Sequence, residues 1–282
     1  MYREIAPGKV LLDYGPISMV IEASTKGSPM TAAAVTGAVT AIRQLEELSA
    51  VINRGRVLAS RASIDRTNPA VLNSMIGSAQ ATGEPDITPM AAVAGAIADR
   101  VLEAVTGQGA TRVIVNNGGD IAFRLEPGTS MRVGVVTDLT SGKITHFLDL
   151  REDYGLGGIA TSGFGGRSFT KGISSAVVTL ARNAALADAC ATMIANAVNA
   201  DHPEIIRVPA EHLDPLTDIS GQMVTAGIGR IDPPTVQRAI LAGKNKFFEY
   251  RDKGLLFGSL IALQGHLWTF PDRIAKPIRQ NV

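Results

Sequence analysis

Between Arg182 and Asp201 the chain carries one charged side chain, Asp188, inside the run AALADACATMIANAVNA. A helix this apolar all round is expected to be buried. A lone carboxylate there is costly unless paired, neutralised or bound to a cation. Thr192 follows four residues on, so its hydroxyl shares a helix face with Asp188. Oxygens at that spacing could give Mg²⁺ two hard ligands, leaving its other positions to water, carbonyls or phosphate. The competing reading is that Asp188 caps or buttresses a neighbouring loop while Thr192 bonds its own backbone.

Three other places could carry chemistry. Gly155 to Ser168 is a glycine-rich run in which backbone N–H groups could nest around phosphate oxygens. Thr161 and Ser162 add hydroxyls there, with Arg167 and Lys171 close by in sequence. The run does not fit the GxxxxGK[ST] spacing of a Walker site, and a surface loop is the plain alternative. Asn116-Asn117-Gly118-Gly119-Asp120 reads either as a hairpin turn or as bare backbone that sets Asp120 beside a ligand. The helix start at Thr88 offers N–H groups to an anion, although its Ala-rich sequence also suits a tightly packed core helix.

Other chemistries are disfavoured. The four histidines are scattered, with no HExxH or Cys/His pattern, so a zinc site is not expected. No GxSxG motif announces a serine hydrolase. The single cysteine, Cys190, excludes an internal disulfide and reads as a small packing residue. It fits a reducing, cytoplasmic setting. Lys plus Arg is 27 and Asp plus Glu 26, a net charge of +1 that argues against nucleic acid or a membrane surface as partner. No secretory signal or membrane span is read. Small-residue faces and low charge fit a homodimer.

The elements that must hold these residues alternate irregularly. Gly15 to Ala23 repeats apolar residues at period two and predicts a strand. Thr31 to Ile52 predicts a helix from Val35, Val39, Ile42, Leu45, Leu48 and Ile52 at spacings of three and four. Thr88 to Val105 predicts a helix with Thr88 as cap and Pro89 in its first turn. Residues 111–125 predict strand, Gly-Gly break and strand. Met131–Val136, Lys143–Leu150, Ser174–Arg182, Gln222–Ile228, Leu255–Phe257 and Leu260–Leu267 are further predicted strands. Ala184–Ala200 and Pro233–Ala242 are predicted helices. Without a regular βαβ rhythm the fold class is α+β, and without a linker residues 1–282 are expected to form one domain.

VIVNNGGDI, then GIATSG, then ALADACAT resembles the ApbE superfamily of flavin transferases. In that family a Lys-Gly segment, a Gly-Gly-Asp turn, a Thr-Ser-Gly loop and an Ala-Asp-Ala-x-Ala-Thr helix come in this order. PMAAVAGAIA, DPLTDISGQMV and LIALQG resemble its uncharacterised non-lipoprotein branch. The resemblance implies an ApbE-like, T-fold-related α+β architecture of mixed sheets packed with helices. It implies Mg²⁺ on Asp188, Thr192 and a carbonyl within Ala91 to Ala94, with Asp188 and Asp120 as catalytic residues. It also implies FAD, or another phosphate-bearing flavin, against Asn117, Gly118, Gly119, Asp120, Thr161, Ser162 and Gly163. The family's reaction moves FMN from FAD to a threonine of an acceptor protein and releases AMP; pyrophosphatase action on FAD is its hydrolytic relative. Two departures leave a non-catalytic flavin or nucleotide carrier, or an enzyme for another small anionic metabolite, as alternatives. Ala94 stands where the family has Lys, and RSFTKGISSAVV replaces a His-x-x-Asp-Pro-x-Thr-Gly segment.

Overall fold

The computed structural model describes residues 1–278. The chain divides into two compact units. The first holds Met1–Met131, Arg151–Ala160 and Ala181–Ala189. It opens as an antiparallel meander, β1 (Tyr2–Ala6), β2 (Lys9–Tyr14) and β3 (Ile17–Thr25), with a two-residue β4 (Ser28–Pro29) folded back on β3. β3 buries Ile17, Met19, Ile21 and Ala23, the predicted alternate set. β1 is exposed along its whole length, so no period-two signal marks it.

Helix α1 (Thr31–Ser49) forms where predicted and buries Leu48 as expected, but small residues rather than Val39 make most of its core face. Ala34, Gly37, Ala38 and Ala41 are buried, while Val39 is 51% exposed. Close packing is the reason. A Cβ on Gly37 would lie 2.7 Å from Val105 and 3.1 Å from Val101, so the small-residue stripe lets two helices approach more nearly than valines could. A short α2 (Ile52–Gly55) and α3 (Ala70–Thr82) follow. A 3₁₀ turn, Pro89–Ala92, leads into α4 (Val93–Gly107). Pro89 takes its expected first-turn place, but Thr88 makes no capping side-chain bond.

β5 (Arg112–Asn117) and β6 (Asp120–Arg124) form a hairpin whose register pairs Asn117 with Asp120. After β7 (Ser130–Val136) and β8 (Ile144–Arg151), β9 (Gly158–Ser162) sets Ile159 opposite Ile121 on β6. The strand order in this unit is β1-β2-β3-β5-β6-β9.

The second unit holds Arg132–Leu150, Thr161–Leu180 and the chain from Cys190 onward. Its β10 (Ala176–Ala181) is buried at every position. Helix α5 (Ala184–Ala197) is assigned to the first unit up to Ala189 and to the second from Cys190. There follow β11 (Ile205–Pro209), α6 (Ala210–Leu213), β12 (Met223–Ile228) and α7 (Pro233–Asp252). Asp232 caps α7 by accepting the Thr235 N–H, and the helix runs ten residues past its predicted end. β13 (Gly258–Leu263) and β14 (His266–Phe270) replace the single strand expected over Leu260–Leu267. Gln264 and Gly265 both take positive φ, +44° and +84°, and turn the chain between them. Leu255–Phe257 is not a strand. β15 (Ala275–Pro277) pairs with β8, and β10, β13 and β14 run antiparallel in that order. Phe247 and Phe248 of α7 pack edge-on against Trp268. Among the described residues no helix is long and apolar enough to cross a membrane.

Candidate functional site

Asp188 lies on the second turn of α5, one turn past Ala184, and is half-buried. Its carboxylate accepts the Gly95 N–H at 3.0 Å and a second backbone N–H from Ala94. Those amides open α4 and have no partner within their own helix. Asp188 therefore caps a helix distant in sequence, which is the competing structural role drawn above. It makes no ion pair among the described residues. The anion site anticipated at this helix start is filled by the protein's own carboxylate.

The arrangement is reciprocal. Asp99, on α4 one turn beyond Gly95, accepts the N–H groups of Ala184 and Ala185 at 2.9 Å each. Asn183 completes that cap by accepting the Leu186 N–H. Each helix thus donates its first free amides to an acid carried by the other. Close approach makes this possible: a Cβ on Gly95 would stand 2.3 Å from the Ala184 carbonyl oxygen. The same pressure explains Gly157 and Gly158. Their Cβ atoms would meet the Arg182 oxygen at 2.4 Å and the Asn183 carbonyl carbon at 2.1 Å. The first part of the glycine-rich run is therefore β9 pressed against the start of α5, not a mobile loop.

The Gly118-Gly119 break is a two-residue hairpin turn, with φ of +69° and +113°. The turn also places groups. Asn117 is buried and its side-chain amide donates to the Ala94 carbonyl at 3.1 Å. Asp120 stands near enough for its charge to act on Asp188. Burial first, and then Asp120, push the Asp188 carboxyl well above the usual carboxylate range, against the pull of the Gly95 and Ala94 amides. Burial raises Asp99 to about 6 despite its two N–H bonds.

The structure therefore brings Asp188, Asp120 and Asn117 together around the start of α4. Thr192 lies one turn further along α5 than Asp188 and is also half-buried. Thr161 and Ser162 end β9 within the second unit. Gly163 follows with φ +147°, and a Cβ there would meet the Ser174 oxygen at 3.0 Å. Arg167 is exposed, and Cys190 is fully buried, as a packing residue should be. Asp99 and Asn183 went unmarked in the sequence because their roles depend on contacts across the fold. No group of three or more His, Cys, Asp or Glu able to hold a metal occurs among the described residues.

A family model described as AbpE bacteria matches residues 3–269. The UPF0280 protein of Methanospirillum hungatei is 35% identical over 158 residues, covering 55% of this chain and 62% of the relative. That of Methanopyrus kandleri is 35% identical over 163 residues, covering 57% and 61%. The chain thus spans about three-fifths of the length of these curated relatives. Among solved structures, the ApbE protein of Thermotoga maritima superposes with a TM-score of 0.51 over 95% of this chain and 96% of that one, at 14% identity. This likeness shows the α+β fold.

Proposed function

This chain belongs to the AbpE bacteria family, and from that premise we propose that it binds FAD or a related phosphate-bearing flavin through Mg²⁺. Asp188 and Asp120 supply the carboxylates, and Thr192 the hydroxyl one turn along α5 from Asp188. One observation carries the reading: Asp188, half-buried and held by the Gly95 amide, lies near a second carboxylate, Asp120, and has no ion pair among the described residues. A divalent ion would offset that stacked negative charge, and such an ion is what phosphate ligands share with acidic side chains. When bound, Mg²⁺ would supply Lewis-acid neutralisation of phosphate charge.

The chain's own part is positional. The Ala94 and Gly95 amides fix the Asp188 carboxylate, and Asn117 holds the Ala94 carbonyl. Transfer of FMN to an acceptor threonine, with release of AMP, is the reaction this reading favours. A non-catalytic flavin carrier is the second reading. It is favoured by the sequence RSFTKGISSAVV, which stands where the resembled family has its His-x-x-Asp-Pro-x-Thr-Gly segment.

The test incubates the protein with FAD, Mg²⁺ and a threonine-containing acceptor peptide, following AMP by chromatography and bound flavin by absorbance. Magnesium-dependent AMP release, lost in Asp188→Asn, supports transfer or hydrolysis, and flavin on the peptide distinguishes the two. Magnesium-dependent flavin binding without AMP supports the carrier. Flavin binding indifferent to both Mg²⁺ and Asp188→Asn overturns the metal site.

A further inference from the structure

The first unit holds a cavity of about 550 Å³, and neither Asp188 nor Asp120 lines it. The volume lies in the range of small-molecule sites. Its wall carries Arg124, Arg182, Asn183, Ser74, Ser78 and Asp99. Gly157 draws the two arginines to one place. Its carbonyl accepts the Phe123 N–H at 2.9 Å and its own N–H donates to the Ala181 carbonyl at 3.1 Å. Arg124 ends β6, and Arg182 directly follows the last residue of β10.

The charges in this wall are unequally engaged. Both oxygens of Asp99 accept helix amides. Glu103, also in the wall, is paired with Arg100 at 2.6 Å. Arg124 and Arg182 are exposed and form no ion pair among the described residues. The oxygen of Asn183 accepts the Leu186 N–H, which leaves its NH₂ group as a donor. Ser74 and Ser78, one turn apart on α3, add two hydroxyls. The α5 amides are already capped by Asp99 and Asn183, so the helix terminus is not the attraction. What remains is a set of donors and two positive charges, and guanidinium groups match phosphate and carboxylate geometry.

We propose that this cavity binds a small anionic metabolite, its phosphate or carboxylate group held by Arg124 and Arg182, at a site separate from Asp188. The test is titration calorimetry on the metal-free full chain at low salt, with inorganic phosphate and succinate as separate probes. Saturable binding of at least one probe is expected, and the stronger one assigns the headgroup. Arg124→Gln and Arg182→Gln should each weaken it about tenfold, as loss of a charge-assisted hydrogen bond does. Ser74→Leu, which removes a hydroxyl and narrows the cavity from a half-buried position, should weaken binding while the unfolding midpoint stays near that of the parent. Because the probes carry no flavin and the titration is metal-free, failure here and failure of the flavin reading are separable. No saturable binding of either probe, or equal binding by the arginine variants, each overturns the proposal.

Discussion

Asp99 shows how one carboxylate can bond well and still be held at a charge penalty. Its two helix amides favour the anion, but burial outweighs them and raises the acid from 3.8 to about 6. The folded state therefore binds more protons than the unfolded chain between about pH 4 and about pH 6. Stability contributed by this residue is present at the acid end of that window and lost as pH rises through it. The loss is about 3 kcal/mol, from 1.36 kcal/mol for each pH unit that separates the two states. Asp99→Asn cannot titrate. Whatever offset it has at pH 4, its stability relative to the parent should improve by about that amount by pH 7, read from urea midpoints of both proteins across the range. Parallel curves would refute this account of Asp99. Asp188 points the same way, and a cation at that acid would reverse its penalty. Magnesium should therefore raise the unfolding midpoint of the parent and leave Asp188→Asn unmoved, by the usual linkage of ligand binding to folding.

Elements were legible where their signal was local. β3 announced itself by alternation, the Gly118-Gly119 hairpin by turn chemistry, and α5 by its apolar run. β1 was not, being exposed throughout, and in α1 only Leu48 of the apolar stripe is fully buried while Val39 faces outward. In that helix the larger side chains mark helicity, but the residues that decide packing are the small ones, which carry little hydrophobic signal. The candidate site divides in the same way. Asp188 stood out because a charge in an apolar helix is conspicuous, whereas its partner amides lie 93 positions away. Glycine replacements test the packing claim. Gly95→Ala would press a methyl onto the backbone of Ala184, which cannot yield without parting the two helix starts. Its cost should reach about 3 kcal/mol, the upper end for overpacking. Gly37→Ala meets valine methyl groups and should cost less. Gly107→Ala, with nothing within 4 Å, should be neutral or slightly stabilising. Thermal and urea unfolding of the three variants give the ranking, and an equal cost at Gly95 and Gly107 would remove the close-approach argument.

At the scale of the whole molecule, a balanced net charge of +1 hides a local imbalance. Asp188, Asp120 and Asp99 act on one region of the first unit, while Arg124 and Arg182 line a cavity in that same unit. Electrostatics here is organised by site, so bulk measures such as isoelectric point say little about what the protein binds.

The crossed capping of α4 and α5 also makes a demand on motion. Neither helix can loosen its first turn without stranding an acid that the other depends on, although the two starts are separated by some ninety residues of chain. The amides of Gly95 and Ala184 should therefore exchange with deuterium in step, at matching opening free energies. Asp99→Asn should quicken both at once, so that weakening one end of the clasp is felt at the other.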